Sequence, residues 1–256
     1  MTSTRRAWLA GAAGLVWTGC DRALSAASGE PGVEAESAAR DVVLVELFTS
    51  QGCSSCPRAD TLMATLAEED FGVTVARLAF HVDYWNELGW PDPFSDPAWT
   101  GRQRAYAAAA RSRRVYTPQL VFDGRDRGVG VSASRVREAI VEAAAQPPAA
   151  DLQVSARRAN GQLFVRVSGQ GHGERTATIG VAVTDSGHET RVTRGENAGR
   201  RLRNDAVVRQ LVRAPADGTS HELVLAEPPH AGSGRVVAFV QDPVSARILR
   251  AAVALG

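Results

Sequence analysis

From Val42 to Phe48 the chain is apolar at every position except Glu46, a continuous run that fits a strand covered on both faces rather than one alternating between core and water. Ala59, Leu62, Met63, Leu66 and Ala67 then recur at helical spacing, with Pro57 in the first turn, where a missing N–H costs little. Val73 to Phe80 is a second strand of the buried type, and the helix lets it run parallel to the first through a right-handed crossover. His81 to Trp99 has no period, is broken by glycine and proline, and concentrates tryptophan, which predicts an ordered loop. Thr100 to Arg113 reads as an alanine-rich, exposed helix. Leu120-Val121-Phe122 and the turn Asp123-Gly124 predict a hairpin closed by a strand over Gly128 to Val131. Ser132 or Ser134 caps a last helix running to Ala145, and Pro147-Pro148 ends the segment.

Beyond that point the pattern changes to short strand-like runs. Leu152 to Ala156 and Leu163 to Val167 flank Asn160-Gly161, a two-residue hairpin signal. Further runs follow at Thr178 to Thr184, Ala206 to Val212, Glu222 to Leu225, Val236 to Gln241 and Ile248 to Ala254. Separated by glycine, proline and polar turns, they predict an antiparallel sandwich of about seven strands.

The 256 residues exceed a usual single-domain length, so the two patterns read as two domains, 41–148 and 149–256. The first twenty residues look like an export signal: Arg5-Arg6 precede an apolar run from Trp8 to Trp17, too short to span a bilayer as a mature helix. Thr4-Arg5-Arg6-Ala7-Trp8-Leu9 resembles a twin-arginine signal, and Trp17-Thr18-Gly19-Cys20 resembles a lipoprotein cleavage box that would place a lipid on Cys20. Cleavage after Ala27 would instead discard Cys20; residues 1–27 are read as the export signal and 28–40 as a flexible tether, with the mature protein periplasmic or extracellular and touching a membrane only through such a lipid. A formal charge of +1 argues against nucleic-acid binding by phosphate neutralisation. All 29 basic residues are arginine, a bias that carries no binding inference.

The chemistry concentrates at Cys53-Ser54-Ser55-Cys56, which joins the first strand to the first helix. With Cys20 lipidated or discarded, Cys53 and Cys56 are an isolated pair. At a helix start, unpaired N–H groups and the positive dipole end favour thiolate, so Cys53, expected to face solvent, is the candidate nucleophile and Cys56 the resolving thiol. A structural zinc needs four ligands, and no second pair exists; a metal alternative is Cu(I) held by Cys53, Cys56 and His81, and an inert disulfide is a third reading. Glu46, the single acid of its strand, is a candidate proton acceptor for Cys56. Thr117-Pro118, ahead of a hairpin strand, is expected to be cis and to present a backbone edge to substrate, with Trp85 and Trp90 as an apolar wall.

Glu46-Leu47-Phe48-Thr49-Ser50-Gln51-Gly52-Cys53-Ser54-Ser55-Cys56-Pro57, with Phe80-His81-Val82-Asp83-Tyr84-Trp85, Gly89-Trp90, Asp92-Pro93-Phe94 and Tyr116-Thr117-Pro118-Gln119, resembles the bacterial secreted family catalogued as domain of unknown function 1223. Gly195-Glu196-Asn197-Ala198-Gly199, running on to Val207-Val208-Arg209, is similar to that family's C-terminal region. The resemblance implies export and a thioredoxin-like fold, and brings no reaction or substrate with it. The expectation is thus an α/β thioredoxin-like domain followed by an all-β antiparallel sandwich-like domain. The expected activity is thiol-disulfide exchange without a resident cofactor, acting on a protein thiol or disulfide and recycled by a redox partner.

Overall fold

The computed structural model describes residues 42–126, 128, 130–173 and 176–255. The expected leader and tether, with Cys20, lie outside the described residues. Strand β1 (Val42–Thr49) is buried at all eight positions. Val43, Val45 and Leu47 face helices α1 (Cys56–Thr65) and α3 (Ala133–Ala144), while Leu44 and Phe48 face the other side. Because both sides are covered, the side-chain period of two leaves no polar alternation in the sequence. Strand β2 (Thr74–His81) runs parallel to β1, from Val42 beside Thr74 to Thr49 beside His81. On the opposite flank β3 (Gln119–Phe122) is antiparallel to β1. Between them, helix α2 (Pro97–Ala109) starts on Asp96, whose carboxylate accepts the Ala98 N–H, and sends Trp99 and Tyr106 inward.

The hairpin after β3 turns at Asp123-Gly124, both at positive φ, and pairing restarts at once in β4 (Arg125–Asp126). No strand forms over Gly128 to Val131 among the described residues. Gly128 and Gly130 lie at φ 59° and 58°, a left-handed conformation that ends extension.

The second half supplies β5 (Ala150–Ala159), β6 (Gln162–Gly171), β7 (Thr178–Asp185), β8 (His188–Arg191), β9 (Arg201–Asn204), β10 (Val207–Pro215), β11 (Asp217–Ala226), β12 (Arg235–Gln241) and β13 (Ile248–Leu255). The Asn160-Gly161 hairpin forms as expected. Strands β8 and β9 are short and polar and gave no pattern to read.

The expected architecture, an α/β thioredoxin-like domain followed by a separate sandwich, does not hold. The chain is mostly β, and one mixed sheet of eight strands crosses the expected boundary in the order β13-β12-β7-β10-β2-β1-β3-β4. Its join is β10 against β2: Val207 lies parallel beside Ala79, whose N–H donates to the Ala206 carbonyl at 2.8 Å. An eight-residue β2 left as an edge would expose a row of unpaired backbone groups, and β10 removes part of that edge. The sheet also curls until its ends meet, with the Ile248 N–H donating to the Asp123 carbonyl at 3.0 Å. Inside the curl Phe48, Phe80, Trp99 and Tyr106 share one core with Val208, Val237, Phe239 and Ile248. Large apolar side chains each contribute about 1.5–3 kcal/mol when buried, and both halves supply them to this one core. A second sheet, β11-β6-β5, covers the remaining apolar face of β7, β12 and β13.

Candidate functional site

Cys53 follows β1 in a tight turn, its N–H donating to the Ser50 carbonyl, and Cys56 opens α1, its N–H donating to the Cys53 carbonyl, each at 3.2 Å. Both cysteines are free thiols. The expectation that Cys53 faces solvent fails: it is 1% exposed, covered while Ser54 and Ser55 project outward. Its contacts come from both near and distant residues in sequence. Its sulfur lies 3.2 Å from the Ser55 hydroxyl and 3.9 Å from the Thr117 carbonyl oxygen. The Thr117–Pro118 bond is cis, as expected, and leads directly into β3.

The two thiols are electrically unequal. A hydrogen bond from Cys56 is the main influence lowering the Cys53 pKa, and with those of Ser55 and Thr117 it outweighs burial and brings the group to about 6. Burial pushes the Cys56 thiol far up, and the hydrogen bond and charge of Cys53 add to it. A thiolate at position 53 and a thiol at position 56 is therefore the stable distribution near neutral pH.

Glu46 is not beside this pair. It points to the face of β1 opposite α1 and α3, where its carboxylate meets Arg102 Nε of α2 at 2.7 Å and accepts the Tyr106 hydroxyl. Arg102 continues to Gln241 at 3.2 Å, tying α2 to β12. Glu46 is thus committed to the interior ion pair. The acid near the thiols is Asp60, four residues after Cys56 and so on the same helix face. Burial raises its pKa to about 7, opposed by His81 and by the Thr49 hydroxyl, which donates at 3.2 Å, and reinforced by the charges of Asp92 and Cys53. The i, i+4 spacing from Cys56 was a usable sequence signal for Asp60.

His81, at the end of β2, is fully buried with its Nδ1 2.7 Å from Asp92 Oδ2. Burial alone lowers its pKa, but Asp92 outweighs that and the net direction is upward; Asp92, in turn, is held low by His81 and by the Gln51 and Phe94 amides against its own burial. Among the described residues, His81 Nε2 is buried without a hydrogen-bond partner.

Trp85 and Trp90, expected as an apolar wall, act through their indole N–H groups. Trp85 donates to Thr117 Oγ1 at 2.7 Å and Trp90 to Gln51 Oε1 at 3.1 Å. A Cβ at position 52 would come within 3.2 Å of the Trp85 Cβ, which explains Gly52 in this close approach. Tyr84, which the sequence offers only as part of the family motif, reaches the same site: burial raises its phenol to about 12 against its hydrogen bonds to Gln103 and Thr117, with the charge of Cys53 adding to the rise.

The second half closes the thiol loop. Buried Asn197 donates through Nδ2 to the carbonyls of Gln51 and Cys53, both at 2.9 Å; Glu196 accepts the Ser54 N–H at 2.9 Å; and Gln51 donates to Asn204 at 2.8 Å. No local pattern in the sequence assigns these residues to the thiol loop, since each lies 142 to 153 positions from its partner there.

A domain of the outer membrane lipoprotein Omp28 from Porphyromonas gingivalis overlaps 41% of this chain and 86% of its own at 13% identity, with a TM-score of 0.24, which carries no argument. HBP35 of Porphyromonas gingivalis aligns over 86% of this chain and 76% of its own, with a TM-score of 0.62 at 14% identity, a likeness of fold alone. Protein AGR_C_4864 from Agrobacterium tumefaciens is 27% identical, over 87% of this chain and 96% of its own, with a TM-score of 0.63. No curated protein matches. A family model described as "Protein of unknown function (DUF1223)" matches residues 44–241, a span that takes in both the thiol loop and the Asn197 clamp, and the chain therefore belongs to that family.

Proposed function

We propose that the protein is an exported thiol-disulfide oxidoreductase. One observation carries the reading: two thiols three residues apart, one lowered to about 6 and the other pushed upward by burial. In the reducing direction the Cys53 thiolate attacks a substrate disulfide, forming a mixed disulfide and expelling one substrate thiolate, which takes a proton from water. Cys56 gives its proton to the Asp60 carboxylate and attacks the Cys53 sulfur. The Cys53–Cys56 disulfide forms, the second substrate thiolate leaves, and two electrons have passed to the substrate. A dithiol partner then resets the pair. The reverse sequence oxidises a substrate dithiol.

Asp60 takes the role first considered for Glu46, because a carboxyl with a pKa of about 7 accepts and returns a proton near neutrality. With Cys53 1% exposed, a substrate reaches its sulfur only after a local movement of the loop around it. A groove lined by Ala107, Ala110, Val115, Tyr116, Gln119 and Arg247 takes in the residues on either side of Thr117–Pro118, which supports a polypeptide substrate over a small one. Export is inferred from the arginine pair and short apolar run of the leader.

The test is turnover of a disulfide-bonded peptide with a dithiol reductant. Cys53→Ser is expected to abolish it and Cys56→Ser to trap a mixed disulfide. Undiminished exchange by Cys53→Ser overturns the mechanism.

The alternative, Cu(I) handling by Cys53, Cys56 and His81, gains nothing from the geometry: among the described residues, the group of three donors that lie within 4.8 Å of one another is Asp185, His188 and His230. Competition titration with a Cu(I) chelator separates it: affinity unchanged in His81→Ala removes the histidine from the site.

A further inference from the structure

A second group of potential ligands lies in the turns at the end of β7. Asp185 ends that strand, His188 opens β8 three residues later, and His230 sits in the turn that precedes β12. One donor atom from each lies within 4.8 Å of the others. The Asp185 side chain is fully buried, His188 is nearly so, and His230 is exposed.

The carboxylate is the informative member. Burying a charge is expensive unless another charge meets it. Among the described residues, Asp185 has no arginine partner: Oδ1 lies 2.6 Å from His188 Nε2, and Oδ2 accepts the His230 N–H at 3.3 Å. Arg209 sits instead over the Phe94 ring, 5.4 Å from its centroid. The turns holding the three residues are braced. The Ser233 hydroxyl accepts the Ser186 N–H at 2.9 Å and lies 3.0 Å from the Ser186 carbonyl, and Ala206 donates to the Ser186 hydroxyl at 2.8 Å. His188 is further held between Phe94 and His230, with ring centroids 4.7 Å and 4.3 Å away.

We propose that Asp185, His188 and His230 form a binding site for a divalent transition-metal ion, distinct from the thiol pair. Two imidazoles and a carboxylate are the donor set that suits Zn(II) and its neighbours. Ligands on a tetrahedral zinc stand about 3.3 Å apart, given bonds of about 2.0–2.1 Å. The buried Asp185–His188 pair, now 2.6 Å apart, would open by about 0.7 Å as the ion replaces the proton between them, and the exposed His230 ring would turn from the Ser186 carbonyl, 3.1 Å from its Nδ1, to close the rest. Three protein ligands with one at the surface leave a fourth position open to water, so the site takes an exchangeable rather than a sealed ion.

The experiment starts from the Cys53→Ser/Cys56→Ser protein, so that thiols contribute nothing, stripped of metal and titrated with Zn(II) against a chromophoric chelator. One equivalent is expected to bind. Adding His230→Ala, whose exposed side chain leaves the fold intact by thermal melting, is expected to weaken binding at least about 100-fold, more than loss of an outer-shell partner typically does. Asp185→Asn, close to isosteric, is expected to weaken it as well. Ring resonances of His188 and His230 are expected to shift on Zn(II) addition. Absence of binding to the cysteine-free protein, or equal affinity in His230→Ala, overturns the proposal.

Discussion

Asn197 and Cys53, 144 positions apart in sequence, are joined by a 2.9 Å hydrogen bond from the Asn197 amide to the Cys53 carbonyl. The same amide holds the Gln51 carbonyl, so a residue of the second half sets the backbone from which the reactive thiol projects. The site therefore depends on the shared sheet, and its chemistry and the fold's stability are testable together.

Replacing Asn197 by alanine leaves the Gln51 carbonyl without its donor, while the Cys53 carbonyl keeps the Cys56 N–H. An unsatisfied buried acceptor costs about 1–3 kcal/mol. Urea denaturation is expected to show a loss in that range, accompanied by a changed alkylation rate at Cys53. Stability equal to the parent's would mean that the loop holds itself.

Thiolate formation at Cys53 predicts the pH dependence of its reactivity. Iodoacetamide labelling is expected to rise through a midpoint of about pH 6 and level off by about pH 8, because only the thiolate attacks. Cys56, held protonated by burial, is expected to label slowly throughout. Mass spectrometry of the alkylated peptides distinguishes the two; a Cys53 midpoint near the free-thiol value of about 8.5 contradicts the assigned geometry.

Asp60→Asn separates activity from stability. Loss of the proton acceptor is expected to slow resolution of the mixed disulfide by about 10²-fold. The folded carboxyl, raised to about 7, retains a proton that the unfolded chain releases near pH 4, so its contribution to stability falls as pH rises between those values. Removing the charge is therefore expected to make the variant more stable than the parent at pH 8, by at least about 1 kcal/mol. Thermal melts at pH 5 and 8 check the sign. A Glu46→Gln protein is expected to behave oppositely. It leaves buried Arg102 without its charge partner, at a cost of about 3–5 kcal/mol, while mixed-disulfide resolution is unchanged.

A fragment of residues 42–148 tests the join between the halves. It lacks Ala206 and Val207 on the β2 edge, Gln241 on Arg102, and the second-half share of the core around Phe48 and Phe80. The fragment is expected to aggregate or to melt without a cooperative transition by calorimetry. A sharp transition would restore the first half as an independent domain.

Gly124→Ala probes the closure of the curl. At φ 79° the residue is already in a conformation that disfavours a Cβ, and that atom would fall 2.2 Å from the Ala246 carbonyl oxygen. Backbone cannot step aside as a side chain does, so a loss of about 1–3 kcal/mol or more is expected in chemical denaturation. A stability equal to the parent's would show that this approach is not tight.

Local patterns settled what local physics controls. The apolar run of β1, the helical spacing after Cys56, the Asn160-Gly161 hairpin and the cysteine pair at a strand-to-helix turn were legible because each depends on residues a few positions apart. Even Asp60 was within reach by its spacing from Cys56. The assignment of Glu46 to the arginine of α2, the covering of Cys53, the clamp of Asn197 and the grouping of Asp185, His188 and His230 were decided only by the tertiary structure. Strand pairing across more than a hundred residues leaves no period in the sequence, since β2 reads the same whether its edge faces water or β10. Two apparent domains became one sheet because the unpaired backbone of β2 and the exposed core around Phe48 and Phe80 are satisfied by strands that no local signal could assign to them.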